Sequence, residues 1–113
     1  MTAVTAIVSV ALALLFLAAA LSKFTGMSDE VRAHLNVPLT YWKVIGVLEL
    51  AGAVGVLVGL AVEELGIAAA TGLLLISASA IATHLRAGDP PKAIVGAGLG
   101  LVLSTAVVVL QAT

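Results

Sequence analysis

Four long apolar stretches constrain the fold of this 113-residue chain more than any other feature. Each is about 20 residues long, and a helix of that length spans roughly 30 Å, the thickness of the hydrocarbon core of a bilayer. Charged residues make up only 10% of the chain, against about 25% in soluble domains, which indicates a lipid environment. The sequence therefore predicts one all-α membrane domain, with transmembrane helices over about residues 3–22, 42–62, 66–85 and 91–110.

The connections between these stretches differ in length and polarity. Residues 23–41 form the only long polar connection, and Ser28 within it favours the start of a short interfacial helix, about 28–35, as its N-cap. Pro38 disfavours helical geometry in the residue before it, so we expect the second membrane helix to begin after it. A cleaved signal peptide is the alternative for the first stretch, but no Lys or Arg precedes that stretch.

The basic residues indicate how the chain lies in the membrane. All five Lys and Arg residues lie in or beside the first and third connections, 23–41 and 86–92, whereas the second connection carries Glu63, Glu64 and no base. Basic connections of membrane proteins stay in the cytoplasm. We therefore expect an antiparallel, up-and-down four-helix bundle in the plasma (inner) membrane of a prokaryote. Both termini would lie on the same, outer side.

Composition argues against several functional classes. A net charge of −1 without a basic stripe argues against nucleic-acid binding. The chain has no cysteine, so thiol–disulfide chemistry, iron–sulfur clusters and thiolate metal sites are excluded. His34 and His84 are the only histidines, and no closely spaced carboxylates join them, so we expect no metal site.

Glu49 is the residue that most directly raises the question of function. It is the only carboxylate within the four apolar stretches. A carboxylate there costs at least a few kcal/mol, so it is expected to face the protein interior and find a partner. Glu49 lies roughly 10 Å from the helix end near which Lys23 also lies. A lysine stem reaches several ångströms along apolar surface, so we predict a Lys23–Glu49 pair. The residues expected near the mouth of this pair are Trp42, Thr83 and His84.

Two interpretations of this pair remain open. In the first it is structural and fixes the register of the helices, since a role in specificity is better attested for buried ion pairs than a role in stability. In the second it lines a polar pocket that binds the polar end of a lipophilic molecule. The binding residues would then be Lys23, Trp42, Glu49, Thr83 and His84. Glu49 is also a candidate catalytic acid or base, a proton donor when neutral and a base when Lys23 keeps it charged.

Small residues recur every four positions on two of the predicted helices. They are Ala51, Gly55 and Gly59 on the second, and Gly96, Gly100 and Ser104 on the fourth. Such faces let helices approach closely, so we expect them to pack helices against one another. They also permit a homo-oligomer or a contact with a partner in a membrane complex.

Three motifs together resemble the DoxX-like family of small four-helix membrane proteins. They are Leu21-Ser22-Lys23-Phe24, the segment 42–52 with its Gly46-x-x-Glu49 pattern, and the segment 84–89. The resemblance covers nearly the whole chain and implies that fold, with Lys23, Glu49 and His84 as the matching positions. It also implies a relation to subunits of thiosulfate:quinone oxidoreductase and, more distantly, to methylamine-utilisation membrane proteins. Quinone is therefore the candidate cofactor or ligand, whereas the thiol chemistry suggested for cysteine-bearing relatives is out of reach here.

These observations support three hypotheses of function. The first is a membrane-embedded, redox-associated subunit that binds a quinone-like or isoprenoid lipid. The second is an enzyme that uses Glu49 as general acid or base to isomerise or cyclise a lipophilic substrate, or to open an epoxide. The third is a structural or assembly protein whose glycine faces hold a membrane complex together. Whether the protein is an enzyme stays open at this point.

Overall fold

The computed structural model describes residues 2–113, and these contain five helices and no strand. The helices are α1 (Ala3–Phe24), α2 (Asp29–His34), α3 (Leu39–Val58), α4 (Glu63–Arg86) and α5 (Pro91–Ala112). All but α2 are long and apolar enough to cross a membrane. The predicted all-α fold with four membrane-spanning helices is confirmed.

The second membrane helix begins and ends earlier than the predicted stretch 42–62. α3 starts directly after Pro38 and ends at Val58, because residues 59–62 turn the chain into α4. Proline suits the position before a helix, where its missing N–H would be unpaired in any case. Hydropathy does not reveal the turn, since its residues are as apolar as the helix that it ends. α4 correspondingly begins at Glu63 rather than at residue 66.

The short helix α2 lies inside the polar connection, but Ser28 does not cap it as predicted. The Ser28 side chain makes no bond to an N–H group of α2. Its hydroxyl donates to the carbonyl of Ser22 at 3.1 Å and accepts from Nε1 of Trp42 at 3.2 Å. The capping prediction was therefore wrong, because tertiary partners take the hydroxyl. Ser28 instead ties the connection to the facing ends of α1 and α3.

The four long helices form a closed bundle in which α1 contacts α3, α3 contacts α4, α4 contacts α5 and α5 contacts α1. The core lies between them and buries mainly aliphatic side chains. Its larger members are Leu12, Phe16, Val56, Leu73 and Val107. Many large apolar side chains also face outward, among them Ile7, Leu14 and Val102. An apolar exterior is what a helix bundle needs where it contacts lipid.

Glycines let the helices approach one another closely. Gly55 of α3 faces the side chain of Ala69, and Gly59 lies against the backbone of Gly66. On α5, Gly100 faces side chains of α4 and α1. The faces that the third hypothesis assigned to a partner are therefore filled, at these three glycines, by the chain's own helices.

Two contacts mark the two ends of the bundle. His34 of α2 bonds to Asp89, which lies between α4 and α5, so the first and third connections meet at one end. At the other end, the side-chain amide of Gln111 in α5 donates to the carbonyl of Gly59 at 3.1 Å. Both contacts agree with the up-and-down order. That order, and the side of the membrane on which the termini lie, stay predictions.

Candidate functional site

Lys23, near the end of α1, and Glu49, in the middle of α3, form the ion pair that the sequence predicts. Nζ of Lys23 lies 2.8 Å from Oε1 of Glu49, and the side chains are only 11% and 5% exposed. Oε1 of Glu49 is buried and has no hydrogen-bond partner, so the contact with Lys23 is described as an ion pair. The positive charge of Lys23 and the negative charge of Glu49 thereby offset each other at a site with little access to water.

Lys23 has a second partner in Trp42. The ammonium nitrogen lies 4.7 Å from the centroid of the indole ring, which is the geometry of a cation–π contact. Trp42 is itself buried and donates its indole N–H to Ser28. The lysine is therefore held between a carboxylate and an aromatic face, and its orientation depends on both.

Gly46 explains the Gly-x-x-Glu pattern in physical terms. A Cβ atom at this position would lie 3.1 Å from the Phe24 ring and 3.4 Å from Cβ of Lys23. The absence of a side chain thus lets the end of α1 approach α3. One turn further along α3, Glu49 then lies within reach of the lysine ammonium.

A cavity of about 610 Å³ lies beside the ion pair, lined by side chains from all four long helices and from the connection that contains α2. Its lining is mainly apolar. The structure places all five predicted binding residues on this lining, namely Lys23, Trp42, Glu49, Thr83 and His84. A volume of this size, with few polar groups among apolar walls, is typical of a site for a small molecule.

His84 has partners that the sequence did not reveal. Its ring nitrogen Nδ1 lies 2.6 Å from Oδ2 of Asp89, and the other carboxylate oxygen, Oδ1, lies 2.6 Å from Nε2 of His34. The hydrogen bonds from His84 and then from His34 hold the pKa of Asp89 below its ordinary value, because they favour the ionised carboxylate. We call these three residues the His–Asp–His cluster.

The contact between His84 and Asp89 could have been predicted from the local sequence, because Gly88 between them favours the end of a helix. Gly88 has a φ of 74°, the left-handed conformation that ends many helices. The N–H of Asp89 bonds to the carbonyl of His84, and the N–H of Gly88 bonds to the carbonyl of Leu85. This pair of bonds is a Schellman motif, which returns Asp89 towards His84. No local pattern indicates His34, because it lies 55 residues away from Asp89.

Acid is expected to release the His–Asp–His cluster. The pKa of Asp89 is lowered in the folded protein, so its ionised form contributes stability above the ordinary carboxyl pKa of 3.8. That contribution is lost as the pH falls through the lowered value, because a neutral carboxyl no longer attracts both histidines. Thermal unfolding in detergent micelles across a pH series, with Asp89→Asn as the reference variant, measures the effect. The unfolding midpoint of the wild type should exceed that of Asp89→Asn near neutral pH and equal it at the lowest pH. A wild-type midpoint that stays higher at the lowest pH would contradict the stabilising role of the ionised Asp89.

The fold and the site together define a class: an integral membrane protein of four spanning helices, with a buried ion pair beside a partly open cavity that all four helices line. The DoxX-like family model matches residues 7–107, so the chain belongs to the DoxX-like family. This match confirms the resemblance seen in the sequence motifs. Neither a curated protein nor a solved structure matches the chain.

Proposed function

We propose that this protein binds a lipophilic molecule with an uncharged polar head group in the cavity between its helices. One observation carries the proposal: the Lys23–Glu49 pair lies on the lining of a cavity of about 610 Å³ whose other walls are mainly apolar. Binding pockets commonly combine apolar walls, which supply affinity, with a few polar groups that fix the orientation of the ligand.

The ion pair favours a neutral head group. The two charges already compensate each other at 2.8 Å, so a charged ligand would add a third charge with no free counter-charge among them. A carbonyl oxygen of the ligand can accept a hydrogen bond from Lys23, and a hydroxyl can in addition donate to Glu49. Quinones, quinols and isoprenoid alcohols have these groups, and the resemblance to quinone-linked membrane subunits supports the same class. A quinone in this cavity would make the protein a redox-associated subunit.

The distribution of polar and apolar residues supports one orientation of the ligand. Serine, threonine and histidine side chains accompany the ion pair on the lining, among them Ser28, Thr83 and His84. The rest of the lining is mainly apolar and includes Leu15, Phe16, Leu75 and Ile76, although Ser77 and Ser79 also lie on it. The head group would lie with the first set and the hydrocarbon tail against the second, because each part then meets surface of its own polarity.

We further propose that the end of the bundle with the His34–Asp89 contact faces the cytoplasm, in the plasma membrane of a prokaryote. All five Lys and Arg residues lie in or beside the first and third connections, and the contact between those connections supports their lying on one side. Basic connections are retained in the cytoplasm. The head group would then lie nearer to the cytoplasm than to the outer surface.

Filling the cavity without touching the ion pair tests the proposal. Gly96 lines the cavity, and a Cβ atom at this position meets no other atom within 4 Å, so leucine can be introduced there without a clash at Cβ and is intended to occupy ligand space. Lipids extracted from the purified wild type should contain one enriched quinone or isoprenoid, identified by mass spectrometry. We expect Gly96→Leu to reduce it about tenfold, which corresponds to about 1.4 kcal/mol of binding energy.

Gly98→Leu is the matched control for this experiment. Gly98 lies on the same helix and also faces open space, but it does not line the cavity. Both substitutions change helix propensity by the same amount, so that effect cancels in the comparison. Gly98→Leu should keep the lipid. Equal amounts of lipid in the two variants, or no enriched lipid in the wild type, would contradict the proposed function.

A further inference from the structure

We propose that α2 is a lid over this cavity and that the His–Asp–His cluster is the latch that holds it closed. The inference rests on the proposed ligand cavity and adds a means of controlling access to it. It assigns a role to His34 and Asp89, neither of which lines the cavity.

α2 lies over the cavity without belonging to the packed core. Each long helix makes close backbone contacts with its neighbours in the bundle, whereas α2 has few such contacts, and none of its residues is buried. Side chains in and directly beside α2 nevertheless line the cavity, namely Ser28, Val31, Leu35 and Val37. Moving α2 would therefore open the ligand space while exposing little of the core, which is the property of segments that open locally.

Turns with left-handed residues flank the lid. Gly26 precedes α2 with a φ of 82°, and Asn36 follows it with a φ of 56°. Glycine and asparagine adopt this conformation with less strain than other residues. Both are exposed, so no packed side chain restrains either turn. The segment between these two positions can thus move once the hydrogen bonds of Ser28, which lies within it, to Ser22 and Trp42 are broken.

The latch is the side-chain contact that fastens α2 itself to the far side of the cavity. Among residues 2–113, His34 is the one residue of α2 whose side chain hydrogen-bonds outside the segment 28–38. Its partner Asp89 is held on the other side by His84, which belongs to α4 and lines the cavity. Hydrogen bonds to an ionised carboxylate are stronger than neutral ones, so this contact suits a latch.

Trp42 makes the lid testable, because it is the only tryptophan in the chain, is buried and lines the cavity. Its fluorescence therefore reports on access of the water-soluble quencher acrylamide. In full-length protein reconstituted in nanodiscs, we expect His34→Ala to increase the quenching constant about twofold. Amide hydrogen exchange in residues 29–37 should accelerate about tenfold, while exchange in the four long helices stays unchanged.

Two further variants define the outcomes. Glu30→Ala is the control, since Glu30 is an exposed residue of the same helix whose side chain makes no hydrogen bond in the described part of the chain. Asp89→Ala removes the other partner of the latch and should reproduce the effect of His34→Ala. Quenching and exchange equal to the wild type in His34→Ala would overturn the lid, and so would an equal increase in Glu30→Ala. Neither readout needs a bound lipid, so failure of the lid and failure of the proposed ligand site are distinguished.

Discussion

Replacing Gly59 with alanine is expected to destabilise the bundle by about 3 kcal/mol, at the upper end of the range for overpacking. A Cβ atom at Gly59 would clash with Cα of Gly66 and would lie 2.7 Å from its backbone nitrogen. Backbone atoms cannot rotate away as a side chain can, so α3 and α4 would have to separate at this turn. The φ of Gly59 is −59°, an ordinary helical value, so the effect comes from contact and not from backbone strain.

Gly72→Ala is the control for this prediction. Gly72 lies on α4, and a Cβ atom there meets nothing within 4 Å. Alanine is the better helix former, so this variant should be neutral or more stable by up to about 1 kcal/mol. Thermal unfolding midpoints in detergent micelles compare the two variants with the wild type. Equal midpoints for Gly59→Ala and Gly72→Ala would show that the helices do not meet as described.

Breaking the Lys23–Glu49 pair is the second change with a large expected effect. Lys23→Met leaves the Glu49 carboxylate without its counter-charge in a largely buried site, and Glu49→Gln does the same to the lysine. We expect each single variant to lose about 3 kcal/mol, because an unpaired buried charge retains its desolvation cost without the attraction that offset it. The double variant Lys23→Met/Glu49→Gln should regain most of that loss, since no charge is then left unpaired.

The same set of variants decides between the two interpretations of the pair. If the pair only fixes helix register, the double variant will keep the co-purified lipid; if the pair binds the head group, the double variant will be stable but will lose the lipid. Lys43→Met, at an exposed lysine of α3, is the control for loss of positive charge. Losses in the two single variants that simply add in the double variant would show that the two charges are not coupled.

The ion pair shows how far sequence reasoning reaches into this site. Glu49 could be recognised because a carboxylate among apolar residues is costly enough to require a partner, and Lys23 was the cation within reach. Grouping Trp42, Thr83 and His84 near the pair needed only the depth of each residue along its helix. That argument uses only the depth of a residue in the membrane. It could not show that the five residues line a cavity, because the volume of a cavity depends on how far apart the helices lie.

The errors have a common physical origin. Apolar content could not separate the turn 59–62 from the helix before it, because both are equally apolar. Ser28 has the local chemistry of an N-cap, yet Trp42 and Ser22 compete successfully for its hydroxyl. The spacing of small residues indicates that something approaches them, but only the fold shows that Gly59 meets Gly66 of the same chain.

The sequence by itself determined the environment, the helical fold, the four membrane spans and the need of Glu49 for a charged partner. Each of these follows from the free energy of transferring a segment or a side chain from water to lipid. That free energy depends on composition and on position along a single helix. Only the tertiary structure shows which glycines contact a neighbouring helix, how large the cavity beside the ion pair is, and that His34 hydrogen-bonds to Asp89. Those features depend on distances between segments far apart in the chain, and such distances are set by the packing of whole helices rather than by any local pattern.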